Sequence, residues 1–170
     1  MGKGNEELSY RSAGTYVRKP SSLDRDSRTL EFVMATENPV RMYDWETGEI
    51  VPEVLLARGC IMPKQVPLLD THSRYSVSDV LGSVRDKRIE DGGVIVGKAR
   101  FSTVLKAEEA FTKYEEGHLT DFSVGYKVND VKRVKKGEKV EIDGRTWKGP
   151  VNVVTSWTIK EESCCPIGAD

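Results

Sequence analysis

The stretch "TDFSVGYKV", residues 120–128, reads as one β-strand, and its two faces organise the rest of the chain. Side chains alternate along a strand, so Thr120, Phe122, Val124 and Tyr126 share one face and Asp121, Ser123 and Gly125 the other. The first set suits a core. The second is small and polar, and Gly125 lets another backbone or a substrate come close. Ser123 thus stands on an accessible face, where a nucleophilic serine would need a base beside it. The plainer alternative is a serine on a solvated strand.

Working outward, the segments on either side also read mostly as strands. "EFVMA" is followed by the turn-rich "TENPVRMYDWETGE", then by "IVPEVLLARG", "QVPLLDTH", "VLGSVRDKRIE" and "GVIVGKARF". Asn-Pro, Thr-Gly and Asp-Gly-Gly separate them, and "RIEDGGVIVG" has the form of a hairpin. "STVLKAEEAFTKYEEGHL" breaks the rhythm, with Val104, Ala107, Phe111 and Tyr114 at helical spacing. Ser102 or Thr103 is suited to cap its start and Gly117 to end it. After Val128, "VKRVKKGEKVEI", "RTWKG" and "VNVVTSWTIKEES" are again strand-like, turning at "KKGE" and "DGR". Many short strands and one helix make the fold mainly β (α+β), with a closed or nearly closed barrel expected. Residues 1–27 are polar and expected to be a partly disordered lead-in to a single domain over 28–170.

Composition narrows the function classes. The chain of 170 residues is long enough for one domain with a real core. A formal net charge of -1 offers no electrostatic reason to bind nucleic acid or an acidic membrane. The basic run "VKRVKKGEK" surrounds a turn and reads as a solvated hairpin. No apolar run reaches the roughly 20 residues needed to cross a bilayer, and the N-terminus has no signal-peptide stretch, so a cytoplasmic setting is expected. Three cysteines, two of them adjacent, offer neither a disulfide framework nor a zinc ligand pair, and no cofactor or metal is expected.

Few residues can act as a base near neutral pH. Of the two histidines, His118 follows the helix end, where it can face the negative end of the dipole. His72 closes the apolar strand "VPLLDTH" just before a loop, a place where a rigid scaffold presents reactive groups. In "SWTIKEESCC", strict alternation puts Trp157, Ile159, Glu161 and Ser163 on one face and Thr158, Lys160 and Glu162 on the other. Glu161 then continues an apolar row, where a carboxylate is costly without a partner such as a histidine N–H. If the strand has ended by Lys160, both glutamates are solvated instead. A cysteine nucleophile at Cys164 or Cys165 is a rival, although adjacent strand residues point to opposite faces.

The order and wording of "NPVRMYDWETGEIVPEVLL", "PLLDTHSRYSVSDVLGSV", "EGHLTDFSVGYKV" and "WTIKEESCCPIGAD" resemble the prohead (procapsid maturation) proteases of tailed bacteriophages. The resemblance runs from about Arg28 to the C-terminus. It implies a serine peptidase with a fold similar to the herpesvirus assemblin proteases: a small β-barrel flanked by helices. By position it places Ser123 on the nucleophile, His72 on the general base and Glu161 on the acidic residue two before the motif serine. The family more usually has an aliphatic residue where this chain has Glu162. The implied substrates are scaffold or major capsid protein and the protease itself, cut inside the assembling procapsid in the host bacterial cytoplasm. The resemblance leaves room for a homo-oligomer, since the herpesvirus enzymes act as dimers. A non-catalytic capsid or scaffold component retaining the fold is the alternative. The oxyanion donors implied are the backbone around Val124 and Gly125, or an arginine such as Arg74. The chain stops at Asp170, directly after "PIGAD", where family members often continue, which suggests a trimmed or self-cleaved end.

Overall fold

The structure, a computed structural model, describes residues 9–13 and 22–167. The elements in chain order are β1 (Ser9–Ala13), β2 (Thr29–Ala35), β3 (Val40–Asp44), β4 (Glu49–Leu55), β5 (Cys60–Ile61), β6 (Val66–Asp70) and β7 (Val80–Glu90). There follow β8 (Val94–Phe101), α1 (Leu105–Glu116), β9 (Asp121–Val134), β10 (Lys139–Ile142), β11 (Arg145–Lys148) and β12 (Val151–Cys165). Ten strands form one sheet, and β10 and β11 make a separate hairpin.

The long strand β12 is the spine of that sheet. One of its edges pairs antiparallel with β9 from Val151 to Cys165. The other edge receives β4, β5 and β6 in succession, all parallel to it. From β6 the sheet continues through β7 and β8 to β2, while β3 branches off β4. This arrangement overturns the expected closed or nearly closed barrel flanked by helices. The path starts at β1 and ends at β2, and among the described residues no ladder joins the two. Because three strands share one edge of β12, the sheet divides there instead of curling into a ring. Among the described residues α1 is also the single α-helix.

Two local readings are corrected as well. "NPVRMYDWETGE" is a hairpin, not merely turn-rich. Val40 and Asp44 turn inward, Arg41 and Tyr43 outward, and β3 runs antiparallel to β4. Asp44 itself closes the turn, accepting from the Glu46 N–H at 2.9 Å. At the start of α1 neither Ser102 nor Thr103 is the cap: Val104 occupies that position without a side-chain hydrogen bond. Gly117 does end the helix, at φ 79°, where a left-handed residue satisfies the last carbonyls.

The core explains how β9 is held. Ala107, Phe111 and Tyr114 of α1 are fully buried, and the Tyr114 ring stacks on Phe122 at 4.6 Å. Phe122 stacks in turn on Phe32 at 3.8 Å, and the Tyr114 hydroxyl donates to the Asp121 carbonyl at 2.6 Å. The residue before Ser123 is therefore pinned on its core side by aromatic stacking. Residues 1–8 and 14–21 of the expected lead-in lie outside the described residues, as do Gly168, Ala169 and Asp170. Within that lead-in, β1 pairs antiparallel with β9, placing Ser12 opposite Ser123.

Candidate active site

The site lies on the face of the sheet opposite the core. On β9 and β12 the cross-strand pairs Ser123–Ser163 and Gly125–Glu161 share that face, whereas Phe122–Cys164 and Val124–Glu162 look inward. Strict alternation would have put Glu161 in the row of Trp157 and Ile159. Instead a β-bulge between Ile159 and Glu161 inserts Lys160 as an extra residue in the register with β9 and reverses the parity of the strand. Hence Glu161 turns to the Ser123 face, and Glu162 takes the core position. Glu161 is thus the carboxylate that meets the histidine, as expected, but from the face opposite the apolar row.

His72 arrives from the loop after β6. Thr71 and His72 both adopt left-handed backbone, φ 46° and 61°, at a cost of roughly 1–2 kcal/mol per residue for side chains of this kind. The surrounding hydrogen bonds hold them there. The Thr71 N–H donates to the Cys164 carbonyl at 3.1 Å, and the His72 N–H to Ser163 Oγ at 3.0 Å. Asp79 braces the rest of the loop, accepting from Ser73 Oγ at 2.6 Å and from the Tyr75 and Ser76 N–H groups at 3.2 and 3.0 Å. Lys106 of α1 ties Asp70 and Asp79 together at 2.9 and 3.4 Å. These interactions hold Asp79 below the ordinary carboxylate range, the bond from Ser73 foremost.

The resulting geometry is a row of three side chains. His72 Nε2 is 2.8 Å from Ser123 Oγ, and His72 Nδ1 is 2.6 Å from Glu161 Oε1. The other Glu161 oxygen, Oε2, accepts from Ser163 Oγ at 2.7 Å. Ser163 is fully buried and joins the carboxylate to the backbone of the histidine. Gly125 makes room for this: a Cβ there would lie 2.0 Å from Glu161 Oε1. A hydroxyl, an imidazole and a buried carboxylate in hydrogen-bonded sequence can move a proton from oxygen to nitrogen while the carboxylate fixes the tautomer.

Other candidates fall elsewhere. Glu162 is wholly buried, and neither of its oxygens has a hydrogen-bond partner among the described residues. Burial, reinforced by the neighbouring Glu161, pushes its carboxyl well above the usual range and favours the neutral form, with Lys87 opposing. His118 is exposed and pairs with Glu116 at 3.6 Å, away from the row. Arg74 is exposed on the loop and lines a groove beside Glu161. Val124 and Gly125 are paired on both sides, to β12 and β1, so their N–H groups point into the ladders and not toward the Ser123 hydroxyl. Cys164 faces the core and Cys165 the site, where its Sγ is 3.9 Å from His72 Nε2. Burial pushes the Cys165 thiol up to about 12, which disfavours the thiolate a cysteine nucleophile requires. Among the described residues no cluster of His, Cys, Asp and Glu could hold a metal ion, and no helix is long and apolar enough to cross a membrane.

Neither the hydrogen bonds of Ser163 nor the left-handed turn at Thr71 and His72 was anticipated, whereas Cys165 is the one of the two adjacent cysteines that faces the base. Only Ser163 carried a signal, its place two residues after the acid in the terminal motif. No protein-family model, curated protein or solved structure matches the chain.

Proposed function

We propose that this chain is a serine endopeptidase with Ser123 as nucleophile, His72 as general base and Glu161 as the carboxylate that orients it. The observation that carries the proposal is the unbroken row Ser123 Oγ, His72 Nε2, His72 Nδ1, Glu161 Oε1, with links of 2.8 and 2.6 Å. His72 takes the Ser123 proton as Oγ attacks the scissile carbonyl, and the tetrahedral intermediate collapses to an acyl-enzyme as the protonated imidazole gives that proton to the leaving amine. Water, deprotonated by the same histidine, releases the acid and restores the serine. Glu161 stabilises the imidazolium in both halves.

The substrate class follows the resemblance of the four motifs to prohead proteases. On that basis the substrates are the scaffold or the major capsid protein and the chain itself, cleaved within the assembling procapsid in the bacterial cytoplasm. A capsid or scaffold component without activity is the competing reading.

A serine-directed fluorophosphonate followed by peptide mapping separates them. Ser123 should be labelled, and the label should vanish in His72→Ala. Absence of labelling at Ser123, both alone and with assembled procapsids added, would leave the non-catalytic component.

A further inference from the structure

The face that carries the row continues past Glu161 into a groove of about 460 Å³. Pro67, Leu69, Tyr75, Val77 and Val80 line it, together with the charged Arg74, Lys160 and Glu161. The sheet explains the continuity. Leu69 of β6 pairs in register with Ser163 of β12 and with Val80 of β7, so the groove floor is the same outer face one and two strands further on.

Three of these apolar side chains stand in solvent: Tyr75 is 94% exposed, Val77 93% and Val80 41%. Single exposed apolar residues need no explanation, but three within six positions beside a reactive row form a patch that marks a contact surface. The loop that displays them is not slack. The Asp79 carboxylate pins Ser73, Tyr75 and Ser76, and the short 3₁₀ turn Val77–Asp79 carries a capping box from Ser76. Sequence and loop geometry therefore hold apolar surface outward at a fixed place. β6 is paired on both sides, so its backbone is not open to an occupant, and the apolar lining calls for contact through a side chain.

We infer that this groove is a substrate subsite, receiving a large apolar side chain of an extended polypeptide near its scissile bond. The inference rests on the serine-peptidase reading above. It commits to a peptide substrate as occupant because the groove shares Glu161 with the reactive row.

The test uses the full chain, a diverse synthetic peptide library read by mass spectrometry, and the fluorophosphonate as a separate report on Ser123. Wild-type cleavage products should show a large apolar residue at one fixed position relative to the cut. The double variant Tyr75→Ala/Val77→Asp should lose that preference, with kcat/KM for a wild-type-selected peptide falling about tenfold or more. Tyr75→Phe should keep both, and Ser123 labelling, which does not use the groove, should stay close to wild type in every variant. A preference unchanged in the double variant overturns the subsite while leaving the peptidase. No Ser123 labelling in any variant overturns both. A wild-type dimer by light scattering that Val77→Asp dissociates also overturns the subsite, because a second copy then covers the groove.

Discussion

Gly125 is the most exacting position in the site, and Gly125→Ala tests the geometry directly. The added methyl would lie 2.0 Å from Glu161 Oε1 and 2.7 Å from its carboxyl carbon, where ordinary contact begins at 3.4 Å. The carboxylate must retreat by about 1.4 Å, and the 2.6 Å link to His72 Nδ1 lies in its path. A misplacement of about 1 Å can cost roughly 10²-fold in rate, and loss of the orienting carboxylate about 10⁴-fold. The expected loss in kcat/KM therefore falls between those limits, about 3–5 kcal/mol of transition-state stabilisation. Stability should fall as well, by about 1–3 kcal/mol, because a buried carboxylate pushed off its hydrogen bonds is left partly unpaired. Rates of Ser123 labelling and peptide cleavage, with a thermal melt as control, measure it. A second variant isolates the cause: Glu161→Asp shortens the side chain by one methylene, so Gly125→Ala should cost little more when added to it. Unchanged kinetics in a folded Gly125→Ala protein would refute the packing argument, as would full additivity of the two substitutions.

Ser163→Ala should slow Ser123 labelling, because it removes a donor to Glu161 and an acceptor for the His72 N–H; a charge-assisted bond of this kind contributes about 1.5–3 kcal/mol. Glu162→Leu should stabilise the fold by about 1–3 kcal/mol in urea melts, by removing a buried carboxyl without a partner. The folded-state value of Glu162 lies above its ordinary 4.5, so its contribution is complete below about pH 4.5 and is lost as pH rises through the folded-state value. The stability gap between Glu162→Leu and wild type should accordingly widen with pH, and a constant gap would contradict a neutral buried carboxyl. Cys165→Ala should remain reactive at Ser123 and be indifferent to thiol alkylation, whereas loss of activity on alkylating wild type together with an active Ser123→Ala would favour a cysteine nucleophile. Intact mass should show a shortened chain for the wild type and an uncut one for Ser123→Ala if the chain cleaves itself; masses that differ only by the one oxygen atom the substitution removes would argue against self-cleavage.

Much of the succession of elements along the chain was legible because it rests on local chemistry. Glycines at Asp91-Gly92-Gly93 and at Gly137 and Gly144 take positive φ, and the turns fall there. The helix was legible from Ala107, Phe111 and Tyr114, all buried on one side. The division of the sheet was not, because which edge β4, β5 and β6 take along β12 depends on pairings between residues about 100 positions apart. The left-handed turn at Thr71 and His72 was equally hidden. Threonine disfavours it, histidine only tolerates it better than most, and the bonds that hold it come from Ser163 and Cys164, far along the chain.

The choice between Glu161 and Glu162 shows most clearly what local patterning can and cannot decide. Two adjacent carboxyls on one strand must face opposite ways, so one meets the histidine and the other enters the core, whatever the register. Alternation counted from Trp157 assigns Glu162 to the Ser123 side, yet the bulge at Lys160 exchanges the two. A bulge leaves no reliable mark in composition, but here it has a physical correlate on each side of the strand. On the outer side, Gly125 leaves room for the Glu161 carboxylate, and Ser163 supplies its second hydrogen bond. On the inner side, Glu162 is buried among apolar neighbours without any hydrogen-bond partner among the described residues, a cost that a straight strand would have placed on the other glutamate. The same irregularity that turns one carboxyl into the core sets the other against His72.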